Sequence, residues 1–241
     1  MSRHVRAVVL AGGEGRRLRP YTTIIPKPLM PLGERAILEI LLLQLAAQGF
    51  TRVDMCVGYL SHLIRAYFGD GERVGLEIVY HDERTPLGTI GALETIPDIA
   101  PDESLLVMNG DLLTDLHFGD VLARHNERGG DATICVTRRR VTDEFGVIDV
   151  GEDGTLAAYH EKPVHEVVVS IGVNVVTGAS LAAIRPGERI DVPDFMLRLK
   201  EQGRTVFCHE IDAFWLDLGR VDDYRVAAEM VEEDPSRFLP A

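Results

Sequence analysis

The chain has 241 residues, 46% of them hydrophobic and 26% charged, with a formal net charge of −13, which fits a soluble protein with a sizeable core. That acidity disfavours a nucleic-acid partner, which needs a basic face. No apolar run is long enough to cross a bilayer, and the first residues lack the apolar core of a signal peptide, so a cytoplasmic location is expected.

In chain order, Val5–Leu10 reads as a buried strand ending in glycines, and Ile37–Gln48 as an apolar helix stopped by Gly49. Strands are predicted at Arg52–Val57, Leu76–His81, Ser104–Asn109 and Ala132–Thr137. Helices are predicted at Ser61–Phe68, with Ser61 as its cap, and at Thr89–Thr95 and Phe118–Arg128. This alternation predicts a wound α/β sheet with helices on both faces. After residue 140 the pattern becomes β-rich. Gly146–Val150 and Thr155–Tyr159 flank a hairpin turn at Gly151-Glu152-Asp153-Gly154. A strand at Ser170–Thr177 and a helix at Val192–Gln202, capped by Asp191, follow. Short strands at Thr205–Glu210 and Phe214–Leu218 precede a closing helix at Val221–Glu233. Without a repeat or long linker, residues 1–241 read as one unit with two parts, 1–140 and 141–241.

Charge is unevenly placed. Residues 1–35 carry seven Arg and Lys against two Glu, a local +5 that suggests a small anionic ligand. Three glycines follow the first strand in Gly12-Gly13-Glu14-Gly15, letting backbone N–H groups approach an anion, and Arg16, Arg17 and Arg19 come next. The spacing is neither the dinucleotide fingerprint G-x-G-x-x-G, which argues against an NAD-dependent oxidoreductase, nor a P-loop. Lys27 and Lys162 each precede a proline, which predicts stiff, extended backbone at both. Cys56, Cys135 and Cys208 form no C-x-x-C pair and read as buried free thiols. Arg138-Arg139-Arg140 reads as a solvated turn or a wall of a phosphate site. The histidines lack zinc-ligand spacing.

Leu10-Ala11-Gly12-Gly13-Glu14-Gly15-Arg16-Arg17-Leu18-Arg19-Pro20, continuing through Thr22 to Pro26-Lys27-Pro28, resembles the sugar nucleotidyltransferase signature L-A-G-G-x-G-T-R-L-x-P-x-T…P-K-P. Later motifs match in order: Pro86-Leu87-Gly88-Thr89, Asn109-Gly110-Asp111, Phe145-Gly146-Val147, Glu161-Lys162-Pro163, Gly172-Val173-Asn174 and Trp215-Leu216-Asp217-Leu218-Gly219. Arg16 departs from the family threonine, and the β-helix that many members carry is not expected within these residues.

The resemblance implies a Rossmann-like wound mixed sheet with a β-rich sugar-binding lobe, and transfer of a nucleoside monophosphate from an NTP to a sugar 1-phosphate. It implies Arg17 and Lys27 as catalytic cations. Leu10, Ala11, Gly12, Gly13, Gly15, Arg16, Pro86, Gly88, Thr89 and Gly110 would hold the nucleotide. Gly146, Glu161, Lys162 and Asn174 would hold the sugar phosphate, and Asp111 and Asp217 would bind Mg²⁺. The chemistry is coherent: the sugar phosphate, with its second pKa near ~6, is already an anionic nucleophile and needs no general base. The barrier is repulsion between polyanions, about 4 kcal/mol per pair of unit charges ~4 Å apart at an effective dielectric of ~20, which positioned cations relieve. The segment 86–93 looks most like guanylyltransferases for mannose- or heptose-type 1-phosphates, favouring GTP over UTP. Glycines 88 and 91 would let backbone read a base edge. A non-catalytic nucleotide-sugar sensor of the same fold is the competing class, and a homo-oligomer is compatible with the family.

Overall fold

The structure is a computed structural model that describes residues 6–83 and 85–240. Val5, the predicted first residue of the opening strand, lies outside the described residues. The elements in the first half are β1 (Arg6–Ala11), β2 (Pro31–Leu32), β3 (Arg35–Ala36), α1 (Ile37–Ala47), β4 (Arg52–Val57), α2 (Ser61–Phe68), β5 (Glu77–Asp82) and α3 (Gly88–Gly91). They continue with β6 (Ser104–Asn109), β7 (Leu112–Thr114), α4 (Phe118–Arg128), β8 (Ala132–Thr142), β9 (Val147–Val150) and β10 (Leu156–His160). The chain closes with β11 (Val164–Thr177), α5 (Val192–Glu201), β12 (Val206–Glu210), β13 (Trp215–Asp217) and α6 (Val221–Glu233).

Seven strands form one sheet in the order β12-β8-β11-β6-β1-β4-β5. Strands β6, β1, β4 and β5 run parallel, and β11 is antiparallel to both of its neighbours, β6 and β8. This is the predicted wound mixed sheet, and strands from both sides of residue 140 share it. Val9 and Ala7 pack on one face with Leu38, Leu41, Leu42 and Leu45 of α1, Ile64 of α2 and Phe118 of α4. Val8, Leu105 and Val107 pack on the other with Ile90 and with Phe195, Met196 and Leu199 of α5. Helix α1 is buried nearly all round, as its unbroken apolar run demands. A third cluster holds α6 to the loop before α1 through Leu18, Met30, Leu32, Ala227 and Val231.

Several expectations need correction. Ser61 is the first residue of α2, not its cap: Leu60 takes that position with φ 54°. Arg138–Arg140 is no turn. The strand β8 runs on through these residues, paired with Val168, Val167 and Glu166 of β11, and Arg138 bonds Glu210 on the neighbouring β12 at 2.6 and 3.2 Å. Cys56 and Cys135 are buried and their thiol pKa values rise with burial, but Cys208 on the edge strand β12 is exposed. Neither lysine sits on extended backbone. Lys27 opens a 3₁₀ turn over Lys27–Leu29, and Lys162 lies in the left-handed region at φ 43°, where the chain bends sharply between β10 and β11. Among the described residues no helix is long and apolar enough to cross a membrane.

Candidate active site

Strands β1, β4 and β6 end on one edge of the sheet, where open α/β sheets place their ligands. A cleft of about 420 Å³ opens there, and it is lined by Leu10, Ala11, Gly12, Gly13, Gly15, Arg16, Arg17, Lys27, Pro86, Gly88, Thr89 and Asp111, all predicted from the sequence. Glu83, Asn109, Asp191 and Gly219 complete its walls together with Leu18 and Pro28.

The glycine loop owes its shape to close backbone packing. A Cβ on Gly58 would fall 2.9 Å from the Gly12 carbonyl oxygen, and Gly15 lies at φ 60° with Lys27 Cβ 3.1 Å from where its own Cβ would stand. Thr22 Oγ1 donates to the Gly15 carbonyl at 2.8 Å, tying the loop to the segment that carries Lys27. The arginines divide by their partners. Arg16 bonds both oxygens of Glu14 at 2.8 and 2.9 Å, and Arg19 reaches the same carboxylate at 3.3 Å. Arg17 has no ion pair among the described residues and lies over Gly219, leaving its guanidinium available to a phosphate. Among the described residues one of the loop's three arginines is therefore free of an ion pair, where the sequence suggests a cluster of three.

Lys27 is 5% exposed, and its Nζ donates to Asp111 and, at 3.5 Å, to Asp217. The two aspartates are 106 positions apart in sequence, and the short antiparallel ladder of β13 with β7 brings them together by setting Asp217 opposite Leu112. The Leu218 amide donates to the Asp111 carbonyl at 3.4 Å and extends that ladder. No third acidic or imidazole group joins the pair among the described residues. Two carboxylates suit a hard cation that keeps waters and takes further oxygens from a phosphate, as Mg²⁺ does. Gly110 stands behind them, its amide bonded to the Leu10 carbonyl at 2.9 Å, and does not line the cleft.

A second wall is acidic. Glu83 follows β5, is half-buried, and accepts from the Leu87 amide at 2.9 Å; burial raises its pKa against that hydrogen bond. Gly12 leaves room for it, since a Cβ there would lie 2.8 Å from Glu83 Oε1. Gly88 and Gly91 are also needed for packing. A Cβ on either would collide with the carbonyl oxygens of Ile190 (2.4 Å) and Glu188 (2.7 Å), so these glycines let the segment pack on the loop before α5. Asp191 caps α5 by position, but its carboxylate bonds Thr89. The sequence gives no sign of Glu83: a carboxylate between Asp82 and Arg84 at a strand end carries no pattern.

The remaining candidates stand outside the cleft. Gly146, Glu161 and Lys162 flank the β9–β10 hairpin, with Glu161 and Lys162 exposed and Gly146 against the Tyr159 ring. Asn174 is buried on β11, and its Oδ1 has no hydrogen-bond partner, an acceptor left for a donor the described residues do not supply.

Comparison with known proteins gives these features a context. The chain is 31% identical over 238 residues to the UTP–glucose-1-phosphate uridylyltransferase of Synechocystis sp., covering 91% of this chain and 61% of that protein, and so spans about three fifths of its length. It is 28% identical over 229 residues to the D-glycero-alpha-D-manno-heptose 1-phosphate guanylyltransferase of Aneurinibacillus thermoaerophilus, covering 95% of this chain and 99% of that protein. The crystal structure of HddC from Yersinia pseudotuberculosis shares the fold, with a TM-score of 0.72 over 94% of this chain and 99% of that one at 22% identity. Residues 6–234 match the Nucleotidyl transferase family, and the chain belongs to that family.

Proposed function

We propose that the protein transfers a nucleoside monophosphate from an NTP, GTP in preference to UTP, to a sugar 1-phosphate, giving an NDP-sugar and pyrophosphate. The observation that carries this reading is the division of one cleft into a basic group, with Arg17 unpaired beside Lys27, and an acidic wall at Glu83. Triphosphate needs the first, and a base rich in N–H donors suits the second.

Arg17 takes the β- and γ-phosphates and stabilises the departing pyrophosphate, while Lys27 steadies the attacked α-phosphate. Asp111 and Asp217 are the residues that would hold Mg²⁺, which when bound supplies positive charge to phosphate oxygens. Lys162 and Glu161, on the hairpin side, take the sugar's phosphate and a hydroxyl, and Asn174 offers its free oxygen to another. Guanine brings N1–H and an exocyclic amine to Glu83, whereas uracil brings one N–H between two carbonyl oxygens. The guanylyltransferase relative, which this chain matches along nearly its full length, supports the same choice, with the uridylyltransferase relative as the alternative.

The test is pyrophosphate release from the protein with Mg²⁺, each NTP and a panel of sugar 1-phosphates. At least one pair, with GTP, should turn over. Nucleotide-sugar binding with no release from any pair would mean a non-catalytic sensor instead.

A further inference from the structure

Asp191 has the extended backbone of a helix cap, yet no side-chain bond to its own helix. Its Oδ1 accepts instead from the amide and the hydroxyl of Thr89, at 2.8 and 3.1 Å. Thr89 Oγ1 in turn accepts from the Val192 amide, the first of α5, at 2.9 Å. The cap of α5 is thus exchanged between two loops. Backbone bonds run beside it: the Ile90 and Gly91 amides donate to the Ile190 carbonyl at 3.3 and 3.1 Å, and the Ile190 amide to Leu87 at 2.9 Å.

This exchange engages the Thr89 hydroxyl on both sides and leaves Asp191 as the polar group with spare capacity. Its Oδ2 has no partner among the described residues, and Asp191 lines the cleft on the wall that holds Gly88 and Glu83. Neither carboxylate has a cation partner among the described residues. The part of a ligand that settles here must bring hydrogen-bond donors and no negative charge. The triphosphate is thereby excluded and the base admitted.

We infer that Asp191 is a base-specificity residue: held by Thr89, it presents its second oxygen to the N–H donors of guanine and repels the carbonyl oxygens of uracil. The inference rests on the nucleotidyltransferase reading and adds the choice of base to it.

The test is calorimetric titration of the full chain with GTP and with UTP, each with Mg²⁺ and without a sugar phosphate, so that no turnover occurs. Wild type should prefer GTP. In Asp191→Asn the amide oxygen still accepts from Thr89, which turns the amide nitrogen, a donor, toward the base. GTP binding should weaken at least tenfold, UTP binding should hold or tighten, and the melting temperature should stay. Thr89→Val, which removes the hydroxyl from the exchanged cap but keeps the amide bond to Asp191, should lower the melting temperature and narrow the preference for GTP. If Asp191→Asn does not fold, Asp191→Ser, which keeps a short acceptor for Thr89, supplies the same ratio. A GTP-to-UTP ratio within twofold of wild type in the Asp191 variant overturns the inference alone, and a wild type that prefers UTP overturns it together with the choice of GTP over UTP in the proposed function. A wild type that binds neither nucleotide overturns the function with it.

Discussion

The guanidinium of Arg17 lies across the backbone of Gly219, so close that a methyl group there would fall 3.0 Å from Nη2 and 3.1 Å from Cζ. Gly219 stands two residues after Asp217, so the loop that delivers a metal-ligand candidate also sets where the arginine rests. Arg17→Ala is expected to lower kcat on the order of 10²–10³-fold, the usual loss when one charge-stabilising donor is removed. Gly219→Ala should displace the guanidinium and cost on the order of 10²-fold, since small misplacements of a catalytic group are expensive. Arg16→Ala, which breaks an exposed pair with Glu14, should leave turnover near wild type. Steady-state kinetics beside thermal melts separates the three; an Arg16→Ala loss as large as that of Arg17→Ala would reverse their roles.

Asp111→Asn should reduce turnover on the order of 10²-fold or more, since it removes one of the two carboxylates proposed to hold the metal. Chelation with EDTA should abolish pyrophosphate release, and added Mg²⁺ should restore it. Activity that survives chelation would remove the metal from the reaction.

Glu83 gives nucleotide binding a pH dependence. Burial raises its pKa, so as the solution is acidified it gains a proton earlier than an ordinary glutamate. The protonated group loses acceptor capacity, so GTP affinity is expected to fall as pH drops through the mildly acidic range. Glu83→Gln should flatten this part of the profile relative to wild type. Dissociation constants measured across pH for both proteins decide it, and superimposable profiles would show that Glu83 does not face the base.

Asp54 is 0% exposed on β4 and bonds Arg6, His81 Nε2 at 2.6 Å, and Arg52 at 3.1 and 3.2 Å. Burial alone would raise its pKa, but the hydrogen bonds from His81, Arg6 and Arg52 outweigh it and hold the carboxyl well below the usual range. A folded pKa below the unfolded value of about 3.9 means a stabilising contribution that is complete above that value and lost as pH falls toward the folded one. Asp54→Ala should cost about 3–5 kcal/mol by leaving the buried Arg6 guanidinium without this partner. Urea titrations from pH 7 to pH 3 should show a shallower acid decline for Asp54→Asn than for wild type.

Helices and strands were legible to within a residue or two wherever a period existed, as in α4 and α6, and α1 was legible from its unbroken apolar run and the glycine that follows it. Strands β8 and β11 outran their prediction because Arg138–Arg140 and Val164–Val169 form a ribbon beyond the buried sheet, where no inside–outside alternation marks a strand. The left-handed turn at Lys162 is not legible in the sequence, because a following proline disfavours right-handed helix without separating extended from left-handed backbone. Glu14 stood in plain view two residues before Arg16, and its presence was the available sign that not every arginine of the loop is free. Glu83 and Asp191 were illegible as cleft residues, since a strand end and a helix start meet there only in the folded chain.

The β7–β13 ladder has one more consequence. Trp215, the only tryptophan of the chain, lies on β13 two residues before Asp217, part-buried with its Nε1 shielded from solvent and unbonded. The strand that completes the carboxylate pair of Asp111 and Asp217 therefore carries the protein's one indole fluorophore. Emission at that position reports the docking of the last active-site segment, so assembly of the centre during refolding can be followed without any label and apart from collapse of the sheet.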